Sequence, residues 1–212
     1  MPTPEFQVPI LFDYLAAFTW AISGAVVGIH KRYDIVGVYV IAMLSSTGGS
    51  LIRDGFFLHR TPPVVINAIY LPLILMATIG TSLFRRRITQ TPMVDMLVSV
   101  IDAIGTPAFA VVGMQLSLEA GISLPGVLLI GMINGFGGGL LRDVVVNDAP
   151  TVLQPGQYAA SAAVVACVLF LALTLGFGVA TAPAAWGVVA LYFAIRMLTI
   201  RFNLRTRAVL SE

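Results

Sequence analysis

Two arginine–aspartate pairs lie inside long apolar stretches of this 212-residue chain, each a few positions after consecutive glycines. A charged side chain inside an apolar span is costly unless it pairs with another group or borders a water-filled cavity. Consecutive glycines weaken a helix and are typical of bends. These residue types indicate passage of an ion or a polar solute rather than bond-making chemistry. The two motifs are Gly48-Gly49-Ser50-Leu51-Ile52-Arg53-Asp54 and Gly137-Gly138-Gly139-Leu140-Leu141-Arg142-Asp143.

The two motifs are copies of one pattern at a constant offset. Arg53 and Arg142 are 89 positions apart, and an acid, two glycines and a leucine recur at the same offset. Such self-similarity indicates an internal duplication. The matched positions are Asp13 with Asp102, Gly24 with Gly113, Gly37 with Gly126, and Leu51 with Leu140. We assign residues 8–90 to a first three-helix repeat, 93–180 to a second, inverted repeat, and 183–212 to a seventh helix with a basic cytoplasmic tail.

The composition is that of a membrane protein. The chain is 58% hydrophobic and only 10% charged, whereas a soluble domain carries about 25% charged residues. A net charge of +2 is too small to indicate nucleic acid as a partner. The single cysteine, Cys167, lies in an apolar run and is expected to be a buried, inert thiol.

Seven segments are long and apolar enough to cross a bilayer as helices. Each run is continuous rather than alternating, which favours helices over a barrel. The predicted fold class is therefore an all-α integral membrane protein with seven transmembrane helices, arranged as two inverted three-helix repeats plus a seventh helix. The predicted spans are Ile10–Ile29, Ile35–Ile52, Val64–Phe84, Met96–Leu118, Leu124–Val146, Tyr158–Phe177 and Pro183–Ile200.

Basic residues collect on one face of this arrangement. Eight lie on that face and only Arg60 lies between spans on the other. The positive-inside rule then places the N-terminus outside and the C-terminus in the cytoplasm, as a multi-pass protein of the cell inner (plasma) membrane. Three spans per repeat make the two repeats inverted, an arrangement that frames a pathway near the bilayer midplane. The eight residues are Lys31, Arg32, Arg85, Arg86, Arg87, Arg201, Arg205 and Arg207.

The intramembrane charges are expected to pair across helices at matching depth in each repeat. The predicted pairs are Asp13 with Arg53 and Asp102 with Arg142. In the alternative interpretation both arginines snorkel to the headgroups. The aspartates that follow them would then act as interfacial caps.

The glycines have two interpretations as well. They could bend the second and fifth spans around a pathway, or they could allow close packing of helices through small residues. Their recurrence at symmetry-related positions favours the pathway. The candidate pathway and gating residues are Ser45, Ser46, Thr47, Gly48, Gly49, Arg53, Asp54, Asn134, Gly137, Gly138, Gly139, Arg142 and Asp143, with Asp13 and Asp102 as charge partners.

The sequence carries no motif of catalysis, metal binding or cofactor binding. His30 and His59 lie beside predicted turns and lack the spacing of a zinc pair. No nucleophile elbow or phosphate loop is found. Pro72 and Pro107 fall within predicted helices and are expected to kink them.

Seven spans, an inverted repeat and a doubled Gly-Gly-x-x-x-Arg-Asp stretch resemble the bacterial TRIC family, the trimeric intracellular cation channels. The same repeat unit has also been described as a glycine-transporter domain. The resemblance covers about residues 8–200. It implies a homotrimer with a pore inside each protomer, permeation of potassium and sodium, and kinks at Gly48-Gly49 and Gly137-Gly138-Gly139. Ser50 replaces a third glycine of the first copy, so the two kinks are expected to differ.

Two functions remain open at this point. A passive channel for monovalent cations, gated near the glycines, is the leading hypothesis, with membrane lipid and two further copies of the chain as partners. A secondary transporter of a small solute such as glycine is the alternative, because inverted repeats with broken helices also occur in carriers. Alanine at both glycines of one motif is expected to leave a folded oligomer with reduced conduction.

Overall fold

The computed structural model of the protein describes residues 10–84, 91–154, 158–202 and 204, and every regular element within these ranges is helical. Five of the basic residues that predict the orientation lie outside them: Arg85, Arg86, Arg87, Arg205 and Arg207. The helices are α1 (Ile10–His30), α2 (Ile35–Ile52), α3 (Pro63–Ile66), α4 (Tyr70–Leu83), α5 (Thr91–Glu119), α6 (Leu124–Val145), α7 (Ala159–Leu171) and α8 (Thr181–Arg201).

Several of these elements have the length and apolarity of membrane-crossing helices. Within the described ranges there are five such segments, and α4 is apolar but shorter, at 14 residues. The chain is therefore an all-α, multi-pass membrane protein. The five segments are Ile35–Phe57, Met96–Glu119, Leu124–Val145, Ala159–Gly176 and Thr181–Arg201.

The centre of the bundle is the contact between α2 and α6, one helix from each predicted repeat. α1 packs against α2 and α5, and α6 packs against α5, while α7 and α8 pack against each other and against α5. Small residues allow these approaches. A Cβ added at Gly24 would lie 2.7 Å from the Ile41 carbonyl oxygen of α2, and one at the matched Gly113 would lie 2.7 Å from the Asn134 Cβ of α6. The duplicated glycines thus occupy helix contacts of the same kind in the two halves.

The third predicted span is not one continuous helix. It divides into α3 and α4 at Asn67, whose backbone is extended at φ −110° and ψ 109°. The Asn67 side chain accepts a hydrogen bond from the Ile69 amide and donates one to the Tyr14 hydroxyl of α1. A side chain that bonds its own nearby backbone competes with the helix, which explains the break. Pro72 then lies in the first turn of α4, where no helical partner for its nitrogen is lost. The predicted kink at Pro72 is therefore wrong.

A polar contact places the ends of α1 and α6 on one side of the bundle. Lys31 follows α1, and its Nζ lies 2.6 Å from Oδ1 of Asp148, which follows α6. α2 begins beside Lys31, capped by Asp34, whose side chain accepts from the Gly37 amide. Because α2 runs away from this side, its last residues lie at the opposite end of the bundle from the last residues of α6.

Candidate functional site

The glycines of the two motifs lie where α2 crosses α6, and three of them lie against backbone atoms of the other helix. A Cβ added at Gly138 would lie 1.9 Å from the carbonyl oxygen of Ser45, and one at Gly49 would lie 2.3 Å from that of Asn134. Real Cβ atoms do not approach other atoms this closely, so a side chain at either position requires the helix backbones to separate. The crossing therefore depends on glycine at both positions.

A Cβ at Gly137 would also meet backbone, 2.9 Å from the Gly49 Cα atom, whereas Gly48 and Gly139 make softer contacts with side chains. A Cβ at Gly48 would meet the Leu141 Cδ1 atom at 2.7 Å, and one at Gly139 would meet the Trp20 ring at 2.8 Å. α2 and α6 keep α-helical hydrogen bonding through all of these glycines. The helices are thus not interrupted at the positions of the expected kinks. Irregular helical geometry begins only after the last residue of α2, in the π-helical segment Arg53–Phe57.

The polar residues of α2 and α6 next to the crossing are almost fully buried. The Thr47 hydroxyl donates to the carbonyl of Met43, and Asn134 Nδ2 donates to the carbonyl of Phe109 on α5 at 2.5 Å. Ser45 Oγ and Asn134 Oδ1 are buried and have no hydrogen-bond partner among the described residues. Both oxygens can accept a hydrogen bond from water or coordinate a cation.

One charged cluster lies at the end of α2; we call Arg53, Asp54 and Arg60 the α2 charge cluster. Arg53 Nε and Nη2 donate to the two carboxylate oxygens of Asp54 at 2.8 and 2.6 Å, and Arg60 Nε donates to the same carboxylate at 2.7 Å. Arg53 is 0% exposed, so it does not snorkel to the headgroups. Two guanidinium groups therefore share one carboxylate.

Asp13 does not join that cluster as the sequence predicts. Its carboxylate accepts a hydrogen bond from the Tyr70 hydroxyl of α4, and no Asp13–Arg53 ion pair forms within 4 Å. Asp54 is adjacent to Arg53 in the chain and already occupies two of its nitrogens. The predicted direct pair is therefore wrong. The sequence does not point to Tyr70, because a tyrosine in an apolar span carries no charge.

The second cluster lies at the end of α6; we call Asp102, Arg142 and Asp143 the α6 charge cluster. Arg142 Nε donates to Asp143 at 2.8 Å, and Arg142 Nη1 lies 3.7 Å from Asp102, so the structure brings this predicted pair together. The Asp143 carboxylate also accepts from the amide and hydroxyl of Thr151, at 2.9 and 3.0 Å. Arg142 is only 2% exposed and does not snorkel either.

Two side chains of α1 complete this cluster. The Ser23 hydroxyl accepts from Arg142 Nη1 and donates to Asp102 Oδ1, both at 2.6 Å. The Arg142 guanidinium also lies over the Trp20 ring, 5.7 Å from its centroid, within the range of cation–π attraction. The α6 charge cluster is therefore shared between the two predicted repeats, which spacing along the chain does not reveal.

A cavity of about 60 Å³ opens beside the α6 charge cluster, large enough for a few water molecules. All three residues of the cluster border it. α8 contributes Tyr192 and Arg196 to the same wall. Arg196 is a charged residue inside an apolar span, so the sequence carries the same signal for it as for Arg53 and Arg142.

Known proteins match both the sequence and the fold. A sequence model described as glycine transporter matches twice, at residues 10–86 and 99–174. A "UPF0126 membrane protein" of Deinococcus radiodurans is 32% identical over 71% of this chain and 70% of its own length. The "UPF0126 inner membrane protein YadS" of Escherichia coli is 26% identical over 91% of this chain and 92% of its own length.

Solved structures extend the match to almost the whole fold. A prokaryotic TRIC channel crystallised in 0.5 M KCl is 30% identical, with a TM-score of 0.82 over 92% of this chain and 96% of its own. The TRIC trimeric intracellular cation channel orthologue from Rhodobacter sphaeroides is 26% identical, with the same TM-score over 92% of this chain and 98% of its own. The doubled motif, the all-helical bundle and these matches agree: the chain belongs to the bacterial TRIC family.

Proposed function

We propose that the protein is a passive channel for monovalent cations, chiefly potassium and sodium, with its pathway inside the protomer between α2 and α6. The observation that carries the proposal is a pair of buried oxygens without a hydrogen-bond partner among the described residues, one on each side of the crossing. Ser45 Oγ lies beside Gly24 of α1, and Asn134 Oδ1 belongs to a side chain that packs against Gly113 of α5. Hydroxyl and carbonyl oxygens replace the hydration shell of a permeating cation. The solved neighbours are cation channels, which supports a channel over a carrier.

The charge balance along this route is compatible with cations. The guanidinium of Arg53 is bound by Asp54, and that of Arg142 by Asp143 with Asp102 nearby. A buried arginine without these carboxylates would repel cations from a low-dielectric passage. Each buried arginine thus has a carboxylate partner, and the α6 charge cluster has two carboxylates for one guanidinium.

Gating near the α2–α6 crossing is part of the proposal. A small separation of the two helices would open space at the crossing, because their backbones are in direct contact there. The residues involved are Ser45, Ser46, Thr47, Gly48, Gly49, Asn134, Gly137, Gly138 and Gly139. The functional unit would be a homotrimer, as the name of the Rhodobacter sphaeroides neighbour states for that protein.

Recording from purified protein in planar bilayers tests the channel directly. We expect discrete unitary currents in symmetric KCl and, across a KCl gradient, a reversal potential close to that of potassium. Protein-free bilayers prepared with the same detergent are the control. Saturable solute counterflow without unitary currents would instead indicate a carrier and overturn the proposal.

Orientation is a separate prediction from the basic residues. The turn after α6 carries Ala149 and the turn after α5 carries Ala120, and both alanines are exposed. With the N-terminus outside, a cysteine replacing Ala120 should react with an impermeant maleimide in intact cells. A cysteine replacing Ala149 should react only after permeabilisation.

The two variants control for each other, since both replace an exposed alanine at the end of a long helix. The native Cys167 is buried and should remain unlabelled in both. The reverse labelling pattern would contradict the orientation, and equal labelling of both in intact cells would contradict the crossing of α6.

A further inference from the structure

We propose that Ser23 is a positioning residue that holds Asp102 facing the cavity, and with it the attraction of cations at this end of the pathway. The inference deepens the proposed function and rests on it. Ser23 belongs to α1, outside the doubled motif, and is 0% exposed. Its only role visible in the structure is the bridge between two charged side chains of the other predicted repeat.

Geometry shows that the serine separates the two charges. Arg142 Nη1 and the Asp102 carboxylate each lie 2.6 Å from Ser23 Oγ but 3.7 Å from one another. An arginine and a carboxylate left to themselves favour direct hydrogen bonds at about 2.7–2.9 Å. The hydroxyl therefore takes the position that a direct bond between the two groups would occupy.

The two carboxylates of the cluster differ as a result. The Asp143 side chain is 9% exposed and accepts from Arg142 and from both donors of Thr151. The Asp102 side chain is 22% exposed and borders the cavity. Asp102 is thus the acidic group that a hydrated cation entering the cavity meets.

Loss of the Ser23 hydroxyl changes which of the two carboxylates bind Arg142 directly. In Ser23→Ala, Asp102 and Arg142 can close to a direct ion pair, which draws the carboxylate charge away from the cavity. The guanidinium of Arg196 on the same wall is then less balanced. A cation in the cavity loses a favourable interaction, while the overall charge of the protein stays the same.

The test is the unitary conductance and the reversal potential of Ser23→Ala in a KCl gradient. We expect conductance to fall by up to about fivefold, the limit set by complete loss of the attraction of one unit charge at about 4 Å in water. The reversal potential should shift toward zero because chloride is excluded less. Ser23→Thr keeps the hydroxyl and should restore the reversal potential, which a role in packing alone would not predict.

Thr19→Ala is the matched control. Thr19 lies one turn before Ser23 on α1, and its hydroxyl bonds only to the α1 carbonyls of Leu15 and Ala16. Wild-type currents in Ser23→Ala would overturn the inference and leave the channel proposal intact, whereas absence of currents in the wild type would overturn the channel itself. If Ser23→Ala does not assemble, Ser23→Cys takes its place, because cysteine preserves the shape of serine with a weaker hydrogen bond. The unitary conductance and the reversal potential of Ser23→Cys then test the inference.

Discussion

Gly138→Ala is expected to prevent α2 and α6 from packing and to abolish assembly of the folded protein. The added Cβ would lie 1.9 Å from the carbonyl oxygen of Ser45, and a backbone atom cannot move aside as a flexible side chain does. Overpacking in a well-packed core costs about 1–3 kcal/mol, occasionally more. Because the clash is with backbone at the central crossing, we expect a loss at or above the upper end, about 3 kcal/mol.

The measurement is the elution profile and thermal unfolding of the detergent-solubilised protein, with native mass to count copies. Wild type should give a stable oligomer of three chains, and Gly138→Ala should give aggregate or no folded peak. Gly80→Ala is the control, since Gly80 is also helical but a Cβ there meets nothing within 4 Å. An intact Gly138→Ala oligomer with an unchanged unfolding temperature would show that the crossing tolerates separation.

The contacts at each glycine give different expectations for alanine substitutions at different positions of the two motifs. At Gly48 the nearest atom is the Cδ1 end of Leu141, which can rotate away. Gly48→Ala should therefore fold and alter conduction, as the pathway interpretation predicts. At Gly49 and Gly138 the close-packing interpretation dominates, so a substitution there acts on assembly before it acts on the current.

Arg142→Met is the second change with a large expected effect. Methionine approximates the volume of the arginine stem but removes the guanidinium, which leaves Asp143 and Asp102 without their charge partner. Removing one member of a buried ion pair costs about 3–5 kcal/mol because the other charge stays buried and uncompensated. We expect a lower unfolding temperature and a smaller yield of oligomer.

Arg60→Met provides the comparison in the α2 charge cluster. Its side chain is 39% exposed and Asp54 keeps Arg53 as a partner. An exposed ion pair contributes about 0–1 kcal/mol, so this variant should unfold close to wild type. Adding Asp143→Asn to Arg142→Met should recover part of the loss. Equal unfolding temperatures for Arg142→Met and Arg60→Met would contradict the buried-pair account.

Much about this protein follows from its sequence. Apolar runs of membrane-spanning length with few charges exclude a soluble fold, since nothing else would cover so much apolar surface. The constant offset between Arg53 and Arg142 marks the duplication without reference to structure. Charges inside apolar spans mark the candidate site because leaving them unpaired there is costly. The family resemblance depends on these same features.

The partners of those residues were decided by the tertiary structure alone. Helical periodicity places a side chain on a face, but hydrogen bonding depends on separations of a few tenths of an ångström between different helices. Arg53 therefore pairs with adjacent Asp54 and leaves Asp13 to Tyr70, whereas Arg142 reaches both Asp143 and, through Ser23, Asp102. Two motifs that match in sequence thus acquire different surroundings.

The role of the glycines was decided in the same way. In the sequence, consecutive glycines are equally compatible with a bend and with a close contact, because both follow from the missing side chain. Only the approach of Ser45 to Gly138 and of Asn134 to Gly49 shows that two helix backbones touch there. That approach depends on how α2 and α6 cross, which is set by the packing of the whole bundle rather than by either helix alone.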